Sequence, residues 1–138
     1  MAALTKDRAT PERDGRRVID PIGPTTVIHA GAMYMLNEDG DAVPADPAVA
    51  SAPGVLGMPR AVALRSASGP DGDTHVEGAL GVFRVDNSAT FPVSRLGVHA
   101  LCNVVDDHTV RALHDPGVLA AVVVDLDDTG VWVRVGGM

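Results

Sequence analysis

An all-β fold is the expectation for this chain, and three features of its sequence set it. Valine occurs 21 times against ten leucines and three isoleucines, and a β-branched side chain keeps more freedom in a strand than in a helix. Fifteen glycines and ten prolines are spread along the 138 residues, leaving few windows long enough for a helix. Clusters of Asn, Asp, Gly and Ser recur between the apolar runs, which is turn chemistry. Together these predict about eight to ten short strands in a jelly-roll-like sandwich or small β-barrel.

The elements follow in order. Val18 to Ile22 is a first extended segment, closed by Gly23-Pro24. Thr25 to His29 and Ala32 to Leu36 are strands, with Ala30-Gly31 as the bend between them. Asn37-Glu38-Asp39-Gly40-Asp41 is a turn, and Ala42-Val43-Pro44 returns as a short edge segment because Pro44 lacks a ladder donor. Residues 44 to 54 read as a proline-rich loop. Val55-Leu56-Gly57 and Ala61 to Leu64 are the next strand candidates.

Beyond the turn cluster Ser68 to Asp73 lies His75 to Val85, where Val76, Leu80 and Val82 fit a two-residue period. Gly78 and Gly81 mark a bulge or a close backbone approach within it. Val98 to Asp115 is the one window where helix competes, through Val98, Leu101, Cys102 and Val105. Strand, turn, strand around Asp106-Asp107-His108 is preferred. Leu119 to Leu126 and Gly130 to Val135 form a hairpin, with Val131, Val133 and Val135 facing the core and Trp132 and Arg134 opposite.

Composition narrows the function. The length suits one domain with a single core. The net charge of −7 disfavours nucleic-acid or anionic-membrane binding by the body. Cys102 is the sole cysteine, so no intrachain disulfide exists. No secretory or membrane-length apolar run is present, which suggests a cytoplasmic product. Only Tyr34, Phe83, Phe91 and Trp132 are aromatic, scant material for the apolar pocket of a generic β-barrel binding module.

The sharpest enzymatic motif is Ala121-Val122-Val123-Val124-Asp125-Leu126-Asp127-Asp128-Thr129-Gly130. An apolar strand ending in Asp-x-Asp-x-Thr is the nucleophile motif of haloacid-dehalogenase-like phosphatases. Asp125 would attack phosphorus, Asp127 would act as general acid/base, and Mg²⁺ would neutralise the phosphate. That chemistry needs a following α/β domain with a lysine, whereas eight residues follow Gly130 and the sole lysine is Lys6. A hairpin turn explains the same letters. As a calcium loop the segment has Gly136 where a bidentate acid belongs. His29, His75, His99, His108 and His114 lack metal-ligand spacing, and Cys102 has no CxxC partner. His108 beside Asp106 and Asp107 reads as a solvated turn, and Cys102 as a small core residue facing away from His99. No catalytic, cofactor-binding or metal-ligating residue is assigned.

What remains is the arm from Leu4 to Arg17. It holds five basic and three acidic residues, a charge of +2, against six and fifteen, or −9, in the rest of the chain. So few apolar groups cannot offset the entropy of ordering it alone. Alternating Lys, Asp, Arg and Glu suit a mosaic of ion pairs with a protein surface better than a nucleic acid.

The segment Leu4-Thr5-Lys6-Asp7-Arg8-Ala9-Thr10-Pro11-Glu12-Arg13-Asp14-Gly15-Arg16-Arg17 resembles the start of capsid cement (head decoration) proteins of tailed bacteriophages. Ala30-Gly31-Ala32-Met33, Leu36-Asn37, Gly40 to Ala45, Gly81-Val82-Phe83-Arg84 and Val123 to Val133 are similar to the same family, so the resemblance spans nearly the whole chain. It implies a β domain (residues 21–138) with an extended arm (residues 1–20), bound to the outside of an assembled head. The implied role is a noncovalent structural one, tying major capsid protein subunits together without cofactor or membrane. The expected partners are the major capsid protein and the chain itself, as a homodimer in preference to a homotrimer. The expected location is the capsid exterior of the virion, after synthesis in the host bacterial cytoplasm. Lys6, Arg8, Arg13, Arg16 and Arg17 are the candidate capsid-binding residues.

Overall fold

The structure, a computed structural model, describes residues 2–3, 5–9, 15–49, 58–114 and 117–136. The Val55-Leu56-Gly57 candidate and the end of the proline-rich loop lie outside these residues. Twelve strands are described: β1 (Arg17–Pro21), β2 (Val27–Ile28), β3 (Met33–Leu36), β4 (Ala42–Pro44), β5 (Ala61–Ala63), β6 (Ala67–Ser68), β7 (His75–Ala79), β8 (Gly81–Asn87), β9 (Leu101–Val104), β10 (Thr109–Ala112), β11 (Leu119–Asp127) and β12 (Gly130–Val135). A short 3-10 turn spans Arg95–Gly97.

The fold is all-β, and it is a small barrel joined to a sheet. Strands β10-β8-β12-β11-β9 close into a barrel, β1-β7-β5-β3-β4 form an open sheet, and β2 pairs with β6. All barrel pairs are antiparallel except β10 with β8, which is parallel and two residue pairs long.

Alternation along β3 joins the two halves. Met33 and Met35 belong to the barrel core with Val85, Val104, Val110, Val123, Val131, Val133 and Val135. Tyr34, between them, faces a second core with Ile22, Ile28, Ala61, Ala67 and Val76. Successive strand side chains point to opposite faces, so four residues serve two cores. Each fully buried valine contributes about 1.5–3 kcal/mol relative to exposure.

The hairpin of β11 and β12 forms as expected, with Val131, Val133 and Val135 buried and Trp132 and Arg134 turned away. Strand, turn, strand also holds for β9 and β10. The segment from His75 to Val85 differs. Its period breaks at Leu80, where β7 leaves the open sheet and β8 enters the barrel, and Val82 is exposed. Gly81 makes the switch at φ +148°, a conformation that disfavours any side chain. The thread 25–29 narrows to Val27–Ile28. The boundary expected between residues 20 and 21 falls inside β1, because Arg17 to Asp20 pair with β7.

Candidate partner-binding surface

The root of the arm is built into the open sheet. Arg16 accepts a backbone hydrogen bond from Leu80 N–H at 2.9 Å, and Arg17 opens β1 opposite Ala79. Alternation turns Arg17 and Ile19 outward and Asp20 inward. Asp20, 7% exposed, would be a costly buried charge without partners. It receives a 2.7 Å hydrogen bond from the Tyr34 hydroxyl and a 3.3 Å contact from the Arg60 guanidinium Nε. The Arg60 amide in turn donates to the Tyr34 carbonyl at 2.7 Å. Burial, followed by the Asp20 carboxylate, pushes the Tyr34 hydroxyl pKa well above its ordinary value.

Glycine at position 78 makes room for this contact. A Cβ there would lie 2.2 Å from the Tyr34 hydroxyl and 2.8 Å from Ala61 Cβ. Lys6 and Arg8 are exposed and, with Thr5 and Asp7, line a shallow open hollow. Arg13 lies outside the described residues. The structure thus fixes the backbone of Arg16 and Arg17 at the sheet edge, while Lys6 and Arg8 sit farther towards the N-terminus.

The Asp-x-Asp-x-Thr motif closes upon itself. A register shift between Val123 and Asp125 advances the strand by one residue, so Asp125 faces out where uninterrupted alternation would bury it. Asp125 accepts from Arg95 at 2.7 Å and from the Leu126 amide at 2.9 Å. Arg95 leads the causes that hold its carboxyl below the ordinary carboxylate range. Asp127 accepts from the Thr129 hydroxyl, from the Thr129 amide at 2.8 Å and from Trp132 Nε1 at 3.2 Å. Those bonds lower its pKa to about 2, the Thr129 hydroxyl first among them. The two carboxylates serve the hairpin.

Cys102 is fully buried and its thiol is pushed up to about 11 by burial, which opposes thiolate chemistry. His99 is exposed at φ +71°. Asp106, Asp107 and His108 each place one potential ligand atom within 4.8 Å of the others. The ring Nδ1 lies 2.8 Å from Asp107 and 3.2 Å from Asp106. The Asp107 hydrogen bond leads the causes that raise the His108 pKa, and desolvation opposes it. All three are surface groups already engaged with one another.

The loop between β8 and β9 presents apolar groups that no sequence pattern announces. Phe91 is 58% and Leu96 97% exposed. Asn87 brackets the loop through both backbone groups of Val93, at 2.8 and 3.0 Å. Phe91 accepts from the Ala112 amide at 2.9 Å, and Arg111 lies 5.8 Å above its ring. In the sequence, Phe91-Pro92 interrupts any strand pattern, but such a break shows only that a loop is present and not what it presents. No helix is long and apolar enough to cross a membrane among the described residues.

Comparison with protein-family models, with curated proteins and with solved structures gave no match.

Proposed function

We propose that this chain is a noncovalent head-decoration protein of a tailed phage, bound to the outer surface of the capsid and clamping neighbouring major capsid protein subunits. The observation that carries the reading is the arm root. A basic segment precedes β1 at the edge of the open sheet, and β1 is fastened there by the buried Asp20–Tyr34 hydrogen bond and the part-buried Asp20–Arg60 ion pair. Such a root lets an extended segment bear load without unravelling the body. Lys6, Arg8, Arg13, Arg16 and Arg17 pair with capsid acids, and linked arms in one oligomer gain affinity through effective concentration. The role is structural and uses no cofactor. The tight internal pairing of Asp125 and Asp127 supports this over the phosphatase reading.

The test is imaging of purified heads of the cognate phage after mixing with the chain. Full-length protein adds regular density outside the shell. Removal of residues 2–14, which spares β1, abolishes that density and leaves the melting temperature unchanged. Full occupancy by the truncated chain, or no added density with the intact one, would overturn the proposal.

A further inference from the structure

The two edges of the open sheet differ. The outer edge of β4 is blunted: Ala45 N–H donates to Met33 and Asn37 N–H donates to Asp41, so the odd-numbered residues of β4 face β3. Ala42 and Pro44 are left facing outward, and Pro44 has no N–H to offer. The β1 edge is different. Leu80 N–H donates to Arg16, and Ile22 N–H donates to Thr74, so the even-numbered residues face β7 throughout an unbroken register. The N–H and C=O groups of Arg17 and Ile19, with the C=O of Pro21, therefore point away from the sheet. Among the described residues nothing hydrogen-bonds to them.

The edge carries no lysine or bulge, and its proline, Pro21, lies at its end, so the stretch from Arg17 to Ile19 is a template for another strand. Its side chains support one occupant. Ile19, at the centre of β1, is 66% exposed and borders a groove with Arg65, Ser66, Asp73, His75 and Glu77. Arg65 and Glu77 pair there at 3.6 Å. With Arg17, the patch holds two arginines and two acids. A second chain can therefore approach here without meeting the net negative charge of the body.

We propose that β1 pairs with β1 of a second copy across a two-fold axis through Ile19, joining the two open sheets into one of ten strands. The inference deepens the decoration reading by locating the self-association surface. The edge is self-complementary in this register. Ile19 N–H donates to Ile19 C=O of the other copy and the reverse, and Arg17 N–H donates to Pro21 C=O, giving four backbone hydrogen bonds by symmetry. The missing N–H of Pro21 falls at the end of the pairing, opposite a carbonyl that stays in water. The two Ile19 side chains meet as a cross-strand pair, which buries the exposed apolar group at the centre of β1. The two arm roots then leave the same seam in opposite directions, so one dimer reaches two capsid subunits.

Light scattering on the intact chain tests this. The expected mass is twice the 14.2 kDa of the chain. Ile19→Lys and Ile19→Pro each halve it with an unchanged circular dichroism spectrum, because the Ile19 N–H serves no bond among the described residues. Ile19→Cys forms an oxidised dimer on a non-reducing gel, since paired residues in such a ladder lie about 5.5 Å apart at Cα, within disulfide reach. The wild type, whose Cys102 is buried, forms none. A monomeric or trimeric wild type, a dimer that survives both the Lys and Pro substitutions, or an Ile19→Cys chain that does not cross-link overturns the pairing. If Lys or Pro at position 19 unfolds the chain, the cysteine result decides. A monomer that still decorates heads sinks the pairing alone, and a dimer that never binds heads sinks the decoration reading alone.

Discussion

The Tyr34 hydroxyl lies where the arm root and the open sheet meet, and its environment makes two measurable demands. Tyr34→Phe removes the donor to Asp20 and leaves a buried carboxylate with fewer partners, which costs about 1–3 kcal/mol; chemical denaturation reads the loss. Gly78→Ala forces its new methyl against the same hydroxyl and destabilises by about 1–3 kcal/mol through overpacking. The raised Tyr34 pKa also sets an alkaline limit. The folded state keeps this proton above pH 10 while the unfolded chain releases it, so stability is full below pH 10 and falls as pH rises further. Absorbance of phenolate in an alkaline titration should appear together with unfolding; a midpoint near 10 in the native protein contradicts the burial. Asp127 works in the other direction. With its folded pKa lowered to about 2, its contribution is present above pH 3.8 and lost as pH falls towards 2.

At the level of elements, the β11–β12 hairpin turns on Gly130. A Cβ there would lie 2.5 Å from the Val85 carbonyl of the neighbouring strand, so Gly130→Ala should cost about 1–3 kcal/mol, visible as a lowered melting temperature. The alternation of Val131, Val133 and Val135 was legible because it is local and repeats every second residue. The register shift before Asp125 was not, because a bulge is defined against a partner strand that the letters do not name. The switch at Gly81 escaped for the same reason: Val76, Leu80 and Val82 keep their period in the sequence while the chain changes sheets. The basic character of the arm could be read directly from its charge. Its anchor could not, since Tyr34 and Arg60 stand 14 and 40 residues from Asp20 and only the folded sheet brings them together.

Across the whole molecule, charge is divided between a basic arm and an acidic body. Ion pairs between exposed groups are screened by salt, with a Debye length of about 10 Å at 0.1 M and 3 Å at 1 M. Head occupancy under the proposed function should therefore fall as salt rises from 0.1 to 1 M, while the melting temperature changes little. A binding isotherm insensitive to salt would assign the capsid contact to apolar surface, with Phe91 and Leu96 the exposed groups to substitute next.

The parallel pair of β8 and β10 has a kinetic consequence. Two residue pairs close the barrel, extended by the Asp86 amide to His108 and the Ser88 amide to Val110, whereas β8 and β12 share five. Closure joins β8 to β10 around the intervening β9, so the seam rests on fewer ladder contacts than its neighbours. Local opening takes the weakest cooperative boundary first. Deuterium should enter the amides of Asp86 and Ser88 well before those of Val131 and Val133, marking this seam as the place where the barrel breathes.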